Sequence, residues 1–146
     1  MRTINLAVWH CSADEEGTDH SLFYYDKMHR EQRKFRKIGY HIIIHPSGSW
    51  ETGREINEIG AHAKGYNRNS IGIMYIGGLR NGQPADTRTP EQKTTMQFIR
   101  DMLDYIYPGI EHIGHRDLST DLNGDGVISK KEWMKECPCF DIKTEF

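Results

Sequence analysis

The stretch "DLNGDGVISKKE", Asp121 to Glu132, has the spacing of a calcium loop. Asp121, Asn123 and Asp125 hold the first, third and fifth positions, where side-chain oxygens would surround a hard cation. Gly126 gives the sharp turn at the sixth position, the Val127 carbonyl falls seventh, and Ser129 stands ninth. Glu132 is twelfth, the place of a bidentate carboxylate, and Ile128 fills the apolar eighth position. The preceding "GHRDLST" does not read as an incoming helix, so the pattern implies half an EF-hand. Such a loop would bind Ca²⁺ at about 10⁻⁴ to 10⁻³ M. A solvated turn rich in Asp, Asn and Gly is the plainer alternative. The chain also has 8 histidines and 3 cysteines, ligand types suited to zinc. Their spacing alone selects no set. There is no HExxH and no zinc-finger spacing, and Cys137 and Cys139 make only one C-x-C. Taken singly, His10, His41, His62 and His115 read as ordinary hydrogen-bonded histidines.

Periodicity supplies the elements that must position these groups. "INLAVWH" predicts a buried strand over Ile4 to Trp9, with His10 at its end. Cys11, one residue on, should face away from His10 into the core. Ser21 to Phe35 predicts a helix, with Leu22, Tyr25, Met28, His29 and Gln32 at three-and-four spacing. The basic residues crowding it, Arg33 among them, read as a solvated face. "GYHIIIHPSGSWETGR" predicts strand, turn, strand, and "NSIGIMYIGG" a further buried strand. "LRNGQPADTR" reads as a loop. A helix then starts at Thr89, with Pro90 at its first position and Gln92 completing a capping box. Its apolar stripe is Met96, Ile99, Leu103 and Ile106. "IEHIGHRD" predicts a short strand running into a loop, and "SKKEWMKE" a short helix ending at Cys137.

Strands mixed with helices in 146 residues indicate one α/β domain, a sandwich around a central mixed β-sheet flanked by helices. The calcium-type loop at 121–132 lies within it. A hydrophobic fraction of 36% suggests a sheet with one partly polar face. The net charge of −2 gives no global case for nucleic acid. The odd cysteine count argues against a disulfide framework and for a reducing compartment. The apolar run in "MRTINLAVWHCSA" is too short for a signal-peptide core, and no run approaches a membrane span. The expectation is a monomer made in the cytoplasm without a signal peptide, with no membrane insertion.

"VWHCSA", "GYHIIIHPSG", "GAHAKGYNRNSIGI", "GHRD" and "KECPCFD", in this order from about Ile4 to Asp141, resemble the zinc-dependent N-acetylmuramoyl-L-alanine amidases. This is the type 2 amidase group, related to peptidoglycan recognition proteins and including small phage endolysins. The resemblance implies zinc ligands at His10, His115 and Cys137 and catalytic roles for Tyr40 and Lys135. It also implies substrate contacts from His62 and Asn67. Two nitrogens and a thiolate leave the fourth position of Zn²⁺ open, the pattern of a catalytic site. The implied reaction is hydrolysis of the amide between N-acetylmuramic acid and L-alanine of bacterial peptidoglycan, after release to the cell wall. Non-catalytic relatives, which only bind peptidoglycan, typically lack the cysteine ligand. Cys139 departs from the family's small residue, and the gap from His115 to Cys137 is longer than in the phage relatives. Ca²⁺ in that gap would order the helix expected to carry Lys135.

Overall fold

The structure is a computed structural model describing residues 1–145. Along the chain run β1 (Leu6–Cys11), β2 (Asp14–Glu15), α1 (Leu22–Gln32), β3 (Ile42–Ile44), β4 (Trp50–Thr52) and β5 (Ser70–Tyr75). They are followed by β6 (Gly78–Arg80), β7 (Gln83–Pro84), α2 (Pro90–Ile106), β8 (Glu111–Gly114) and α3 (Ile142–Glu145). The main sheet has the order β4-β3-β5-β1-β8, with β4 antiparallel to β3 and the other pairs parallel. This is the expected mixed sheet.

Alternation along each strand divides the core. Ala7, Trp9 and Cys11 of β1, with Ile71, Ile73 and Tyr75 of β5, face Met96, Ile99 and Leu103 of α2. On the other face, Ile43 and Met74 pack with Tyr25 of α1, and Leu6 and Val8 pack with Ala63 and Ile113. Every residue of β1, β3 and β5 is buried, so the expected polar face is absent from these central strands; β4, at the edge, is exposed. Parallel strands need crossover elements, and those elements cover both faces.

The helix starts follow their caps. The Ser21 hydroxyl accepts from the Tyr24 amide at 3.2 Å. Thr89 Oγ1 accepts from the Gln92 amide at 3.0 Å, and Gln92 Oε1 accepts from the Thr89 amide at 2.9 Å. Such a cap contributes about 1 kcal/mol. The buried Gln92 also donates to the Ile76 carbonyl at 3.0 Å, fastening α2 to the end of β5.

Three local expectations are corrected, and one element is new. "LRNGQPADTR" contains the β6–β7 hairpin, which joins β2 in a small second sheet. Ile106 is exposed, because α2 ends there and the next residue, Tyr107, packs on the core in its place. The new element is the C-terminal helix α3, at four residues too short for a periodic pattern. "SKKEWMKE" forms only a 3₁₀ turn, Lys130–Glu132, and Trp133 is already extended. There the Met134 amide donates to Ser119 Oγ at 3.0 Å, and Arg116 lies 3.8 Å over the Trp133 ring. These tertiary partners, with Pro138 disfavouring helix at Cys137, outweigh a short helix's weak propensity.

Candidate metal centre and cleft

Strand register creates the centre. β1 and β8 lie side by side and parallel, with Trp9 opposite Gly114. One residue further along, His10, still within β1, and His115, just past the end of β8, stand side by side, with ring centroids 4.6 Å apart. Cys137 arrives from the C-terminal segment. Ligand atoms of His10, His115 and Cys137 all lie within 4.8 Å of one another. His10 Nδ1 is 3.8 Å from Cys137 Sγ. A tetrahedral ion with bonds of about 2.0 Å to nitrogen and 2.3 Å to sulfur separates those atoms by about 3.5 Å. The donor set and its spacing therefore fit zinc.

The cysteine is held by its backbone surroundings. The Arg116 amide donates to the Cys137 carbonyl at 2.9 Å, and the Tyr75 hydroxyl donates to the Pro138 carbonyl at 2.6 Å. Arg88, 2% exposed at its side chain, pairs with Asp86 and Glu145 and lies 3.4 Å over Phe140, fixing the chain just beyond. Cys11 faces the core, as expected, and its sulfur lies 3.9 Å from that of Cys139. Cys139 packs there and does not join the His10–His115–Cys137 group.

Burial keeps the imidazoles neutral, the form that binds metal. It lowers His10 well below the usual range, helped by His62, His115 and Lys135. It lowers His115 to about 4, with Lys135 and Arg33 adding to the effect. Tyr40 approaches His10 edge-on at 5.0 Å, and burial raises its phenol above the ordinary range. The His29 ring stands behind Tyr40, at 5.6 Å.

A cleft of about 630 Å³ opens beside the triad, lined by His62, His115, Arg33, Lys64, Asn67 and Lys135 among others. Its lining includes no acid among the described residues. Lys135 is thus at the cleft, carried on irregular chain rather than on the expected helix. Arg33, read from sequence as part of a solvated face, also lines it. His62 and Asn67 border the cleft, but Asn67 Oδ1 accepts from the His62 and Ala63 amides at 2.9 and 3.0 Å.

The calcium-type loop lies apart from this centre in its bonding. Glu132 accepts from the amides of Leu122, Asn123 and Ser129, and Asp121 accepts from those of Gly124 and Gly126. Asp125 accepts from the Val127 amide at 2.9 Å and from Asn123 Nδ2 at 3.3 Å. These bonds account for the loop's form, and the exit helix on which the half EF-hand depended is missing.

Fold and centre together define an α/β protein with a His–His–Cys cluster, spaced to hold a metal ion, at the carboxyl ends of parallel strands. The N-acetylmuramoyl-L-alanine amidase family profile matches residues 1–139, and the chain belongs to that family. The endolysin of Enterobacteria phage K11 is 31% identical over 135 residues, covering 92% of this chain and 80% of that protein. The endolysin of Escherichia phage T7 is 32% identical over the same length and shares. Among solved structures, the amidase LysC from Clostridium intestinale superposes with a TM-score of 0.74 at 26% identity, covering 99% of this chain and 82% of that one. Drosophila PGRP-LB, at 22% identity and a TM-score of 0.71, shares the fold.

Proposed function

We propose that this chain is a zinc-dependent hydrolase that cuts the amide between N-acetylmuramic acid and L-alanine in bacterial peptidoglycan. The observation that carries this reading is the convergence of His10, His115 and Cys137 within 4.8 Å beside an open cleft, in a member of the amidase family. When bound by these residues, zinc would supply a Lewis acid and lower the pKa of a water to about 7. The protein's own groups do the rest. His10 and His115 stay neutral and keep lone pairs for the metal. The Lys135 ammonium meets the negative charge that develops on the scissile carbonyl oxygen. Tyr40 stays protonated at neutral pH and so can donate to the same oxygen.

The cleft suits the substrate's charge. Arg33, Lys64 and Lys135 line it, with no acid in the lining among the described residues, which favours a stem peptide bearing free carboxylates. The alternative is a module that binds peptidoglycan without cutting it; the presence of Cys137, Tyr40 and Lys135 favours the enzyme. Action after release to the cell wall fits the endolysin relatives, and no helix among the described residues is long and apolar enough to cross a membrane. Calcium binding by Asp121, Asn123, Asp125, Val127 and Glu132 rests on the sequence pattern alone and forms no part of this reading.

The test is digestion of purified peptidoglycan with mass spectrometry of the products. Free stem peptides beginning with L-alanine, together with peptide-free glycan, support the reading. Binding without fragments supports the module.

A further inference from the structure

We propose that His62 and Ser70 form a hydrogen-bonded relay behind His10 that fixes which of its ring nitrogens faces the metal. His62 is then a positioning residue, not the substrate contact its motif implies. This rests on the reading that His10, His115 and Cys137 bind zinc.

The geometry runs through three side chains. His10 Nε2 lies 2.9 Å from His62 Nδ1, and His62 Nε2 lies 3.2 Å from Ser70 Oγ. The other His10 nitrogen, Nδ1, is the one near Cys137 Sγ. A ligating nitrogen needs its lone pair, so the His10 proton must sit on Nε2. Nε2–H then donates to His62 Nδ1, which must carry no proton. The His62 proton is thereby placed on Nε2, where it donates to the Ser70 hydroxyl. Reversing both bonds would put a proton on His10 Nδ1 and block coordination. One orientation of the relay is compatible with metal, and the Ser70 hydroxyl, able to accept, satisfies that orientation at its far end.

His62 has little freedom to do otherwise. A Cβ added to Gly72 would come within 2.5 Å of its ring, and one added to Gly60 within 2.7 Å. Glycine at both positions is what leaves room for the imidazole. Its backbone amide is held by Asn67 Oδ1 at 2.9 Å. Ser70, 0% exposed, sits at the start of β5 with its carbonyl accepting from the Arg2 guanidinium at 2.6 Å. Metal-ligating histidines are usually oriented by a carboxylate, carbonyl or water, and losing that partner costs about 10- to 100-fold in metal affinity. Here an imidazole fills the role.

The experiment measures metal binding. Zinc affinity is determined by chelator competition, and the visible spectrum of the cobalt-substituted protein is recorded, for wild type, His62→Leu, His62→Asn and Ser70→Ala. His62→Leu should lose about 10- to 100-fold in zinc affinity and change the cobalt bands. His62→Asn, whose Oδ1 offers an acceptor near the position of Nδ1, should recover most of that loss. Ser70→Ala, which leaves the ring in place, should show a smaller loss in the same direction. Nitrogen NMR of the zinc-loaded wild type should find the His62 proton on Nε2. Unchanged affinity and spectrum in His62→Leu, or a His62 proton on Nδ1, overturns the relay. If His62→Leu does not fold, Ser70→Ala and the wild-type tautomer decide. A wild type that takes no zinc overturns the metal reading itself, and the relay with it; a wild type that binds zinc but cuts no peptidoglycan leaves the relay standing.

Discussion

The Cys11 backbone amide donates to Cys137 Sγ at 3.2 Å. Strand β1 thus contributes twice to the centre, through the His10 side chain and through the amide of the next residue. A neutral serine hydroxyl is a much poorer zinc ligand than a thiolate. Cys137→Ser should therefore lose most of its zinc and, with it, several kcal/mol of transition-state stabilisation, about 10³-fold in rate or more. Cys139→Ser, altering a sulfur that packs on Cys11, should retain its metal. Metal analysis and peptidoglycan turnover on both variants check this. Full zinc in Cys137→Ser would rule out that ligand.

Tyr40 and Lys135 are expected to act on charge that exists only in the transition state. Tyr40→Phe and Lys135→Ala should each lower kcat by about 10²- to 10³-fold with little change in KM. Steady-state kinetics on a soluble muropeptide separates the alternatives. A raised KM at unchanged kcat would make them cleft-binding residues instead.

Buried histidines should make the metal-free protein acid-sensitive. His29 Nδ1 accepts from the Gly39 amide at 2.9 Å, and His41 Nδ1 accepts from the Gly72 amide at 3.0 Å. Burial lowers both to about 4. The unfolded chain takes up these protons near pH 6.5, before the folded chain does. Their contribution is thus fully present above about pH 6.5 and lost as pH falls toward 4. His10, His62 and His115 act in the same direction, while His45, raised by Asp19 and Glu51, opposes them. Urea midpoints of chelator-treated protein should be level above pH 7 and fall between 6.5 and 4. His41→Gln should flatten that slope, and a midpoint that rises on acidification contradicts the account.

Glu132 fastens its loop through three backbone amides and the Ser129 hydroxyl. Glu132→Ala should speed hydrogen exchange at Leu122, Asn123 and Ser129 and lower the melting temperature. Calcium titration of the zinc-loaded protein tests the sequence pattern on the same variant. Heat in wild type that disappears in Glu132→Ala supports a cation loop. Silence in both leaves Glu132 as a clasp between the two ends of the loop.

The readings that the structure bears out rest on neighbours in sequence. The Thr89–Gln92 box and the buried runs of β1 and β5 involve residues a few positions apart, so their signals are local. The reading of "SKKEWMKE" as a helix failed because what holds it extended, Ser119 and Arg116, comes from a segment more than ten residues earlier. The β6–β7 hairpin was missed because its strands, three and two residues long, are too short for alternation to register.

By itself, then, the sequence determined the α/β class, most of the elements and, through its ordered motifs, the family. Composition and spacing left the metal ligands open, since 8 histidines and 3 cysteines allow many sets. Parallel register decided that His10 and His115 stand side by side, although 105 positions separate them in the chain. Packing decided that Cys137 faces the histidines while Cys139 turns to Cys11. His62 shows the division most clearly. Its motif marks it as a cleft residue, but its hydrogen-bond partners lie 52 positions away at His10 and 8 away at Ser70. A ring nitrogen's partner is fixed by directional geometry over about 3 Å, which only the folded chain supplies.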